Sequence, residues 1–261
     1  MKTQPSPRRL IAFLLVVMIV LTGCQPKSDA TDTPPSDVTT AGTSPAQSGS
    51  PAAISANINL DPALTQDADS LMVSQYLYEG LLHLDANGNP QPGIAQSWVV
   101  SDDQLDYIFT LRSNAVFSDG TPITPDVVVD NFYRWFDPNS PLRGSGEYAA
   151  WGRIFLGFNG ERDSENRAKS TVDGIQKVDI NTVLIHLNRP VPEMLTYLAD
   201  PAFAILNTDA LASGNYGGQE STIISSGPYT VSSWTDAGLT LSPNPNYWGD
   251  KPNSDLTFTW R

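Results

Sequence analysis

The clearest pattern of hydrophobic and polar positions in the chain lies between residues 105 and 111. Apolar residues occupy every second position there, with Asp106 and Thr110 on the opposite parity. In an extended chain, residues of one parity share one face. The pattern therefore predicts a half-buried β-strand, with one face formed by Leu105, Tyr107, Phe109 and Leu111.

A turn and a helix are predicted directly after this strand. The short apolar run 115–117 could pair next to the strand, and Ser-Asp-Gly-Thr-Pro at 118–122 has turn chemistry. Thr124 can cap a helix N-terminus, and Pro125 suits the first helical position because its missing N–H costs nothing there. Helical spacing then predicts one buried face, formed by Val128, Phe132, Trp135 and Phe136.

The same reasoning places the other elements. We predict a helix from about Leu71 with periodicity extending to Leu82, and a tight turn at Asn87-Gly88. Between 137 and 170 we predict loops with one short helix near 148–151. Strands are predicted at 178–180, 183–187, 229–231, 239–241 and 256–261, and a helix at about 194–198.

The N-terminus has the pattern of an export signal. Arg8 and Arg9 precede an apolar run from Leu10 to Leu21, which is short for a membrane span and ends in Leu-Thr-Gly-Cys24. This resembles a bacterial lipoprotein signal peptide at 1–23, which implies cleavage before Cys24 and its acylation. An uncleaved anchor and an ordinary secretory signal are the alternatives. The polar composition of 24–56 predicts a disordered tether.

Composition excludes several classes of function. The 261 residues carry a net charge of −13, which argues against nucleic acid as a partner. The sequence has no common hydrolase, metalloprotease or phosphate-loop motif. His83 and His186 lie far apart, and Asp102-Asp103 favours a solvated turn over a metal site. We therefore expect no catalytic residue, no metal and no cofactor.

Several short motifs of the sequence resemble those of the family 5 bacterial extracellular solute-binding proteins, which include the oligopeptide and dipeptide receptors of ABC importers. The resemblance combines unlike residue types in order and spacing. It is carried by Leu60-Asp61-Pro62, Glu79-Gly80-Leu81, Pro92–Trp98, Phe109–Arg112, Phe117–Thr124, Asp126-Val127, Ser226–Tyr229 and Asn244–Trp248.

The resemblance implies an α/β fold of the two-lobe periplasmic-binding-protein type, class II, as in peptide receptors. It implies that the first lobe is built from 57–85 and 191–261, with a smaller inserted domain at about 86–190. In the family, the last predicted strand leads to a hinge and a second lobe. We therefore expect the sequence to contain the first lobe and the inserted domain, with the second lobe missing.

The resemblance also implies where a ligand would lie. In the oligopeptide receptors, the bound peptide runs as an added strand against backbone a few residues after Leu-Asp-Pro. The matching positions are Gln66, Asp67 and Ala68, and Tyr148 matches a pocket tyrosine of the smaller domain. Asp67 could instead cap the following helix, and Tyr148 could be packed in its glycine-rich loop.

The function that follows is capture of oligopeptides or dipeptides in the periplasm or at the cell surface, with delivery to an ABC permease. We expect a monomer anchored to the membrane through acylated Cys24. One alternative is a receptor of the same family for nickel, an opine, a glycan or haem. The other is a lipid-anchored surface protein without a transport role.

Overall fold

A computed structural model describes residues 52–261 of the chain. The predicted signal peptide, Cys24 and most of the predicted tether lie outside these residues. The strands are β1 (Ala52–Ile54), β2 (Leu82–Leu84), β3 (Pro90–Pro92), β4 (Ala95–Val100), β5 (Asp106–Leu111), β6 (Val172–Lys177), β7 (Thr182–Leu187), β8 (Tyr229–Thr235), β9 (Gly238–Pro243) and β10 (Leu256–Trp260). The α-helices are α1 (Ala68–Leu77), α2 (Pro125–Phe136), α3 (Ala149–Phe155), α4 (Met194–Tyr197) and α5 (Thr208–Ala212).

The strands form three sheets. One has the order β4-β5-β7-β6 and is antiparallel throughout, and α2 packs against its β6 and β7 strands. A second has the order β1-β10-β9-β8, in which β1 runs parallel to β10 and the other pairs are antiparallel. The third is the β2-β3 hairpin, closed by the predicted turn, where Gly88 has a φ of 81°.

The central prediction of the sequence is confirmed. Strand β5 buries Tyr107, Phe109 and Leu111, as its alternation requires, whereas Leu105 of the predicted face precedes the strand and is half-buried. Thr124 caps α2 by accepting a hydrogen bond from the N–H of Val127 at 3.4 Å. The four predicted apolar residues of α2 are all buried.

Three local predictions are wrong. The run 115–117 does not join β5 but pairs across its own turn, in a bridge between Val116 and Pro122. Helix α1 ends at Leu77, and the chain is already extended at Tyr78. Residues 178–180 form the turn between β6 and β7, where Ile180 is 80% exposed.

The predicted tether is also too long at its C-terminal end. Ala52–Ile54 form β1, and Ile54 is buried. This strand depends on a partner more than 200 residues away, since it pairs with Phe258–Trp260 of β10. Its short Ala-Ala-Ile sequence has no local pattern that predicts it. The bounds of the lobe segments and of the inserted domain remain predictions.

Two apolar cores meet along residues 203–206, where the chain leaves the 3-10 helix Pro201–Phe203 and becomes extended at Ala204. Phe203 and Ile205 belong to the core under the β4–β7 sheet, whereas Ala204 and Leu206 belong to the core under the β1-β10-β9-β8 sheet. Alternate side chains of an extended chain point to opposite sides. The segment can therefore contribute to both cores at once.

Among residues 52–261, no helix combines the length and the apolar character that a membrane crossing requires.

The side chain of Asn131, on α2, is hydrogen-bonded to Leu206 in the segment 203–206 that the two cores share. Removal of this side chain should destabilise the fold. Its amide donates to the C=O of Leu206 at 2.8 Å and accepts from the N–H of Leu206 at 3.0 Å. Asn131→Ala would leave both buried backbone groups unpaired. We expect a loss of about 3 kcal/mol in the free energy of unfolding, measured by urea denaturation.

Asn139→Ala is the matched control, because Asn139 is exposed and its side chain bonds only to Asp137 among the described residues. It should change the free energy of unfolding by less than about 0.5 kcal/mol. Equal stability of Asn131→Ala and the wild type would contradict the proposed role of Asn131.

Candidate functional site

The predicted ligand segment is an exposed, extended stretch between two helical turns. A short 3-10 helix, Pro62–Leu64, precedes it, and α1 follows at Ala68. Thr65 and Asp67 both have extended backbone angles, with ψ values of 153° and 129°. Gln66, Asp67 and Ala68 are all exposed. The chain therefore presents a short free edge at the predicted position.

Some backbone N–H and C=O groups of residues 66–68 are hydrogen-bonded within the protein, and others are not. The N–H of Asp67 donates to Oγ1 of Thr65 at 3.1 Å, and its C=O accepts from Leu71 at 3.0 Å. By contrast, the N–H and C=O of Gln66 and the N–H of Ala68 have no hydrogen-bond partner within residues 52–261. Groups of alternate residues in an extended chain face the same edge. These three groups can therefore pair with an added strand.

Asp67 acts as the helix cap that the sequence left as an alternative. Its carboxylate accepts from the backbone N–H and from the hydroxyl of Ser70, each at 2.8 Å. These bonds lower the pKa of Asp67. The cap leaves the backbone of Gln66 and Ala68 untouched, so it is compatible with a ligand on the same segment.

Tyr148 is buried and engaged within the protein. Only 2% of it is exposed, and its hydroxyl donates to the C=O of Arg143 at 2.6 Å. The guanidinium groups of Arg143 and Arg134 lie 4.2 and 5.3 Å from the ring centroid. Burial raises the pKa of Tyr148 to about 12. This environment favours the packing alternative, and a ligand contact of Tyr148 stays a prediction without support from this geometry.

A buried ion pair anchors the chain just before the candidate segment. Nη2 of Arg134 donates to the carboxylate of Asp61, and the two residues are 2% and 1% exposed. Burial raises the pKa of Asp61, while the charge of Arg134 and its hydrogen bond lower it. Sequence reasoning missed this pair. The available signal was Asn131 and Arg134, two polar residues placed among the apolar positions of α2.

Residues of several motifs that carry the family resemblance contact one another at a second place in the fold. The hydroxyl of Tyr247 donates to Oε1 of Glu79 at 2.5 Å. Arg112 stacks on Trp248, with 4.4 Å between its guanidinium carbon and the ring centroid, and donates from Nε to the C=O of Gly93 at 2.7 Å. These contacts join the end of α1, the end of β5 and the chain after β9. The motifs therefore form a junction between three parts of the chain.

Metal chemistry has no support in the described part of the chain. No group of three or more His, Cys, Asp or Glu side chains within residues 52–261 could hold an ion. His186 faces Asp106 at 2.6 Å on the surface, and burial lowers the pKa of His83. Asp103 lies in a solvated turn, where its carboxylate accepts from the hydroxyl of Ser101.

A surface cavity of about 530 Å³ lies between α2 and α5, away from the candidate segment. It has three carboxylates and no cationic side chain in its lining. It contains none of the predicted site residues, and its lining is Asp130, Tyr133, Asp137, Asn139, Ser140, Pro141, Leu142, Thr208, Asp209 and Ala212.

Comparison with known proteins gives a consistent result. The family model of the bacterial extracellular solute-binding proteins, family 5 Middle, matches residues 89–257. The periplasmic oligopeptide-binding protein OppA of Salmonella typhimurium is 32% identical over 194 residues, which are 73% of this chain and 34% of that protein. The periplasmic murein peptide-binding protein MppA of Escherichia coli is 31% identical over 195 residues, 73% of this chain and 35% of that protein.

The fold matches solved structures of the same kind. The structure of HbpA2 from Haemophilus parasuis has a TM-score of 0.68 at 28% identity and covers 80% of this chain and 42% of its own. The chain thus spans about a third of the length of the curated relatives that it matches.

The buried carboxyl group of Glu79 should make the stability of the protein depend on pH. Burial raises the pKa of Glu79 from 4.5 to about 7, although the Tyr247 hydrogen bond and the charge of Arg112 lower it. The folded state therefore keeps a proton that the unfolded chain releases above pH 4.5. The free energy of unfolding should fall as pH rises from about 4.5 to 7, by up to roughly 3 kcal/mol.

Urea denaturation of the wild type and of Glu79→Gln at several pH values measures this effect. The wild type should lose stability relative to the variant across that range. His83 has a lowered pKa and gives a slope of opposite sign, but it is present in both proteins and cancels in the difference. Parallel stability curves for the two proteins would show that Glu79 ionises normally.

Proposed function

The chain belongs to the bacterial extracellular solute-binding proteins, family 5, and from this membership we propose that it captures oligopeptides or dipeptides and delivers them to the permease of an ABC importer. The fold is that of the periplasmic binding proteins, as the sequence predicts. The family is one of solute-binding proteins, and two of its peptide-binding members are the relatives described above.

The observation that carries the peptide assignment is the free backbone edge at Gln66 and Ala68. Its three unpaired groups are two N–H donors and one C=O acceptor. This set matches the backbone of an extended peptide, which offers the complementary groups whatever its side chains are. Main-chain pairing therefore suits a receptor for peptides of varied sequence.

The remaining parts of the proposal concern location and organisation. We propose that the protein works in the periplasm or at the cell surface as a monomer, anchored by acylation of Cys24 and held off the membrane by the tether. In this arrangement, 86–190 form the smaller inserted domain of the first lobe. The second half of the ligand pocket would come from a further lobe, as the family resemblance implies.

Titration calorimetry with mixed di- to pentapeptides tests the function, using the protein expressed from its full reading frame. Binding heat with peptides, and none with nickel, an opine, a glycan or haem, is the expected outcome. Heat with one of those ligands alone would identify the same-family alternative. Absence of heat with every ligand would support the surface protein without a transport role.

Ala68→Pro tests the backbone edge directly. Proline removes the N–H of residue 68, and the first helical position tolerates it. Asp67 has φ −71° and ψ 129°, the conformation that a residue before proline prefers. We expect peptide affinity to fall about tenfold, as for one lost hydrogen bond, with the unfolding temperature unchanged.

Ala68→Ser is the matched control, because it keeps the N–H and changes only the side chain. It should bind peptides with the affinity of the wild type. If Ala68→Pro also bound peptides with unchanged affinity, the backbone edge would not be the peptide contact.

A further inference from the structure

Burial of the ion pair of Asp61 and Arg134 carries a large cost in desolvation free energy. Both side chains lose nearly all contact with water, and only their mutual attraction and a few hydrogen bonds offset the desolvation. Nη1 of Arg134 is buried without a hydrogen-bond partner among residues 52–261. Replacing a buried ion pair by apolar side chains of similar volume is often neutral or stabilising. The pair therefore calls for a role other than stability.

Asp61 controls the start of the chain that leads into the candidate segment. One carboxylate oxygen receives Arg134, while the other accepts from the N–H of Ala63 at 3.3 Å and caps the 3-10 helix Pro62–Leu64. The C=O of Asp61 accepts from the N–H of Leu64 at 3.1 Å. Gln66 follows two residues after this helix. A shift of the Asp61 carboxylate would therefore move the backbone edge.

Arg134 is itself fixed by the elements around it. It lies on α2, and its Nε donates to the C=O of Leu142 at 3.1 Å. Its guanidinium also lies over the ring of Tyr148. Helix α2 in turn packs on the β4–β7 sheet. The guanidinium of Arg134 is thus held in place by α2 and its surroundings, and from there it contacts Asp61.

We propose that Asp61 and Arg134 are positioning residues for peptide binding: their ion pair sets the place of the Gln66–Ala68 backbone edge relative to α2 and its sheet. The inference rests on the proposed function, since the edge is its peptide contact. A directional charge pair fixes one arrangement, whereas an apolar pair permits small shifts. A strand added to this edge needs its three hydrogen bonds in register, so such shifts lower affinity.

The double variant Asp61→Asn/Arg134→Met tests this proposal. Asparagine keeps the oxygen that caps the 3-10 helix, and methionine fills the space without leaving a lone buried charge. In the protein expressed from its full reading frame, we expect a native fold whose unfolding midpoint is lowered by about a few degrees, because the C=O of Leu142 loses its Nε donor. Peptide affinity should fall by about tenfold, and amide hydrogen exchange of Ala63 and Leu64, whose N–H groups bond to Asp61, should accelerate by a similar factor.

Two further variants make the result specific. Arg134→Lys keeps a positive charge facing Asp61 but loses the Nε bond to Leu142, so it should lose less affinity than the double variant. The exposed pair Asp126–Lys177, with 2.7 Å between Nζ and Oδ2, is the matched control. The double variant Asp126→Asn/Lys177→Met applies the same chemical change to this pair, and it should alter neither affinity nor exchange at Ala63 and Leu64.

Several outcomes would overturn the proposal. One is wild-type affinity and wild-type exchange at Ala63 and Leu64 in the Asp61/Arg134 double variant. Another is exchange that rises as much in α2 and in the β8-β9 hairpin as at Ala63 and Leu64, because the pair would then serve stability alone. If that double variant failed to fold, Arg134→Lys would still have to bind peptide and to keep slow exchange at Ala63 and Leu64. Failure of the proposed function is distinct, because the wild type itself would then bind no peptide.

Discussion

The structure depends on satisfying the backbone of one buried segment that belongs to no helix and no strand. Ile205 and Leu206 are fully buried between the two cores. A buried N–H or C=O without a partner costs free energy comparable to a lost hydrogen bond. All four polar groups of these two residues are paired, and their partners come from three distant parts of the chain.

Those partners define how the elements are assembled. The N–H of Ile205 donates to the C=O of Glu79, and its C=O accepts from the hydroxyl of Ser226, each at 2.9 Å. Asn131 of α2 pairs with both groups of Leu206. The end of α1, helix α2 and the approach to β8 are therefore tied to the same segment, and each tie fixes the position of the others.

This constraint explains the arrangement of the motifs. Ser226 also accepts from the N–H of Glu79 at 3.0 Å, so one hydroxyl joins the segment to the end of α1. The Glu79 carboxylate then reaches Tyr247, close to where Arg112 stacks on Trp248. The most recognisable residues of the sequence thus hold the assembly together, and the candidate ligand segment lies elsewhere, with little sequence character of its own.

The predictability of each element follows the range of its interactions. Strand β5 and helix α2 were predictable because alternation, capping and helical spacing are local. Strand β1 was not, since its partner β10 lies at the other end of the chain. The end of α1 was misplaced because Tyr78 has the spacing of a helical residue, but its burial against Tyr216 is set by tertiary packing.

The candidate site was predicted in part for the same reason. Resemblance located Gln66–Ala68 through the nearby Leu-Asp-Pro phrase, whereas the partnership of Asp61 and Arg134 spans 73 positions and has no local signature. A free backbone edge recognises a peptide only if it is held still, because ordering it on binding would consume part of the binding free energy. Here the edge is bounded by two capped turns, with Asp61 capping one and Asp67 the other. The carboxylates on either side thus make the edge rigid. The edge is free to pair with a ligand because no neighbour among the described residues pairs with the backbone of Gln66.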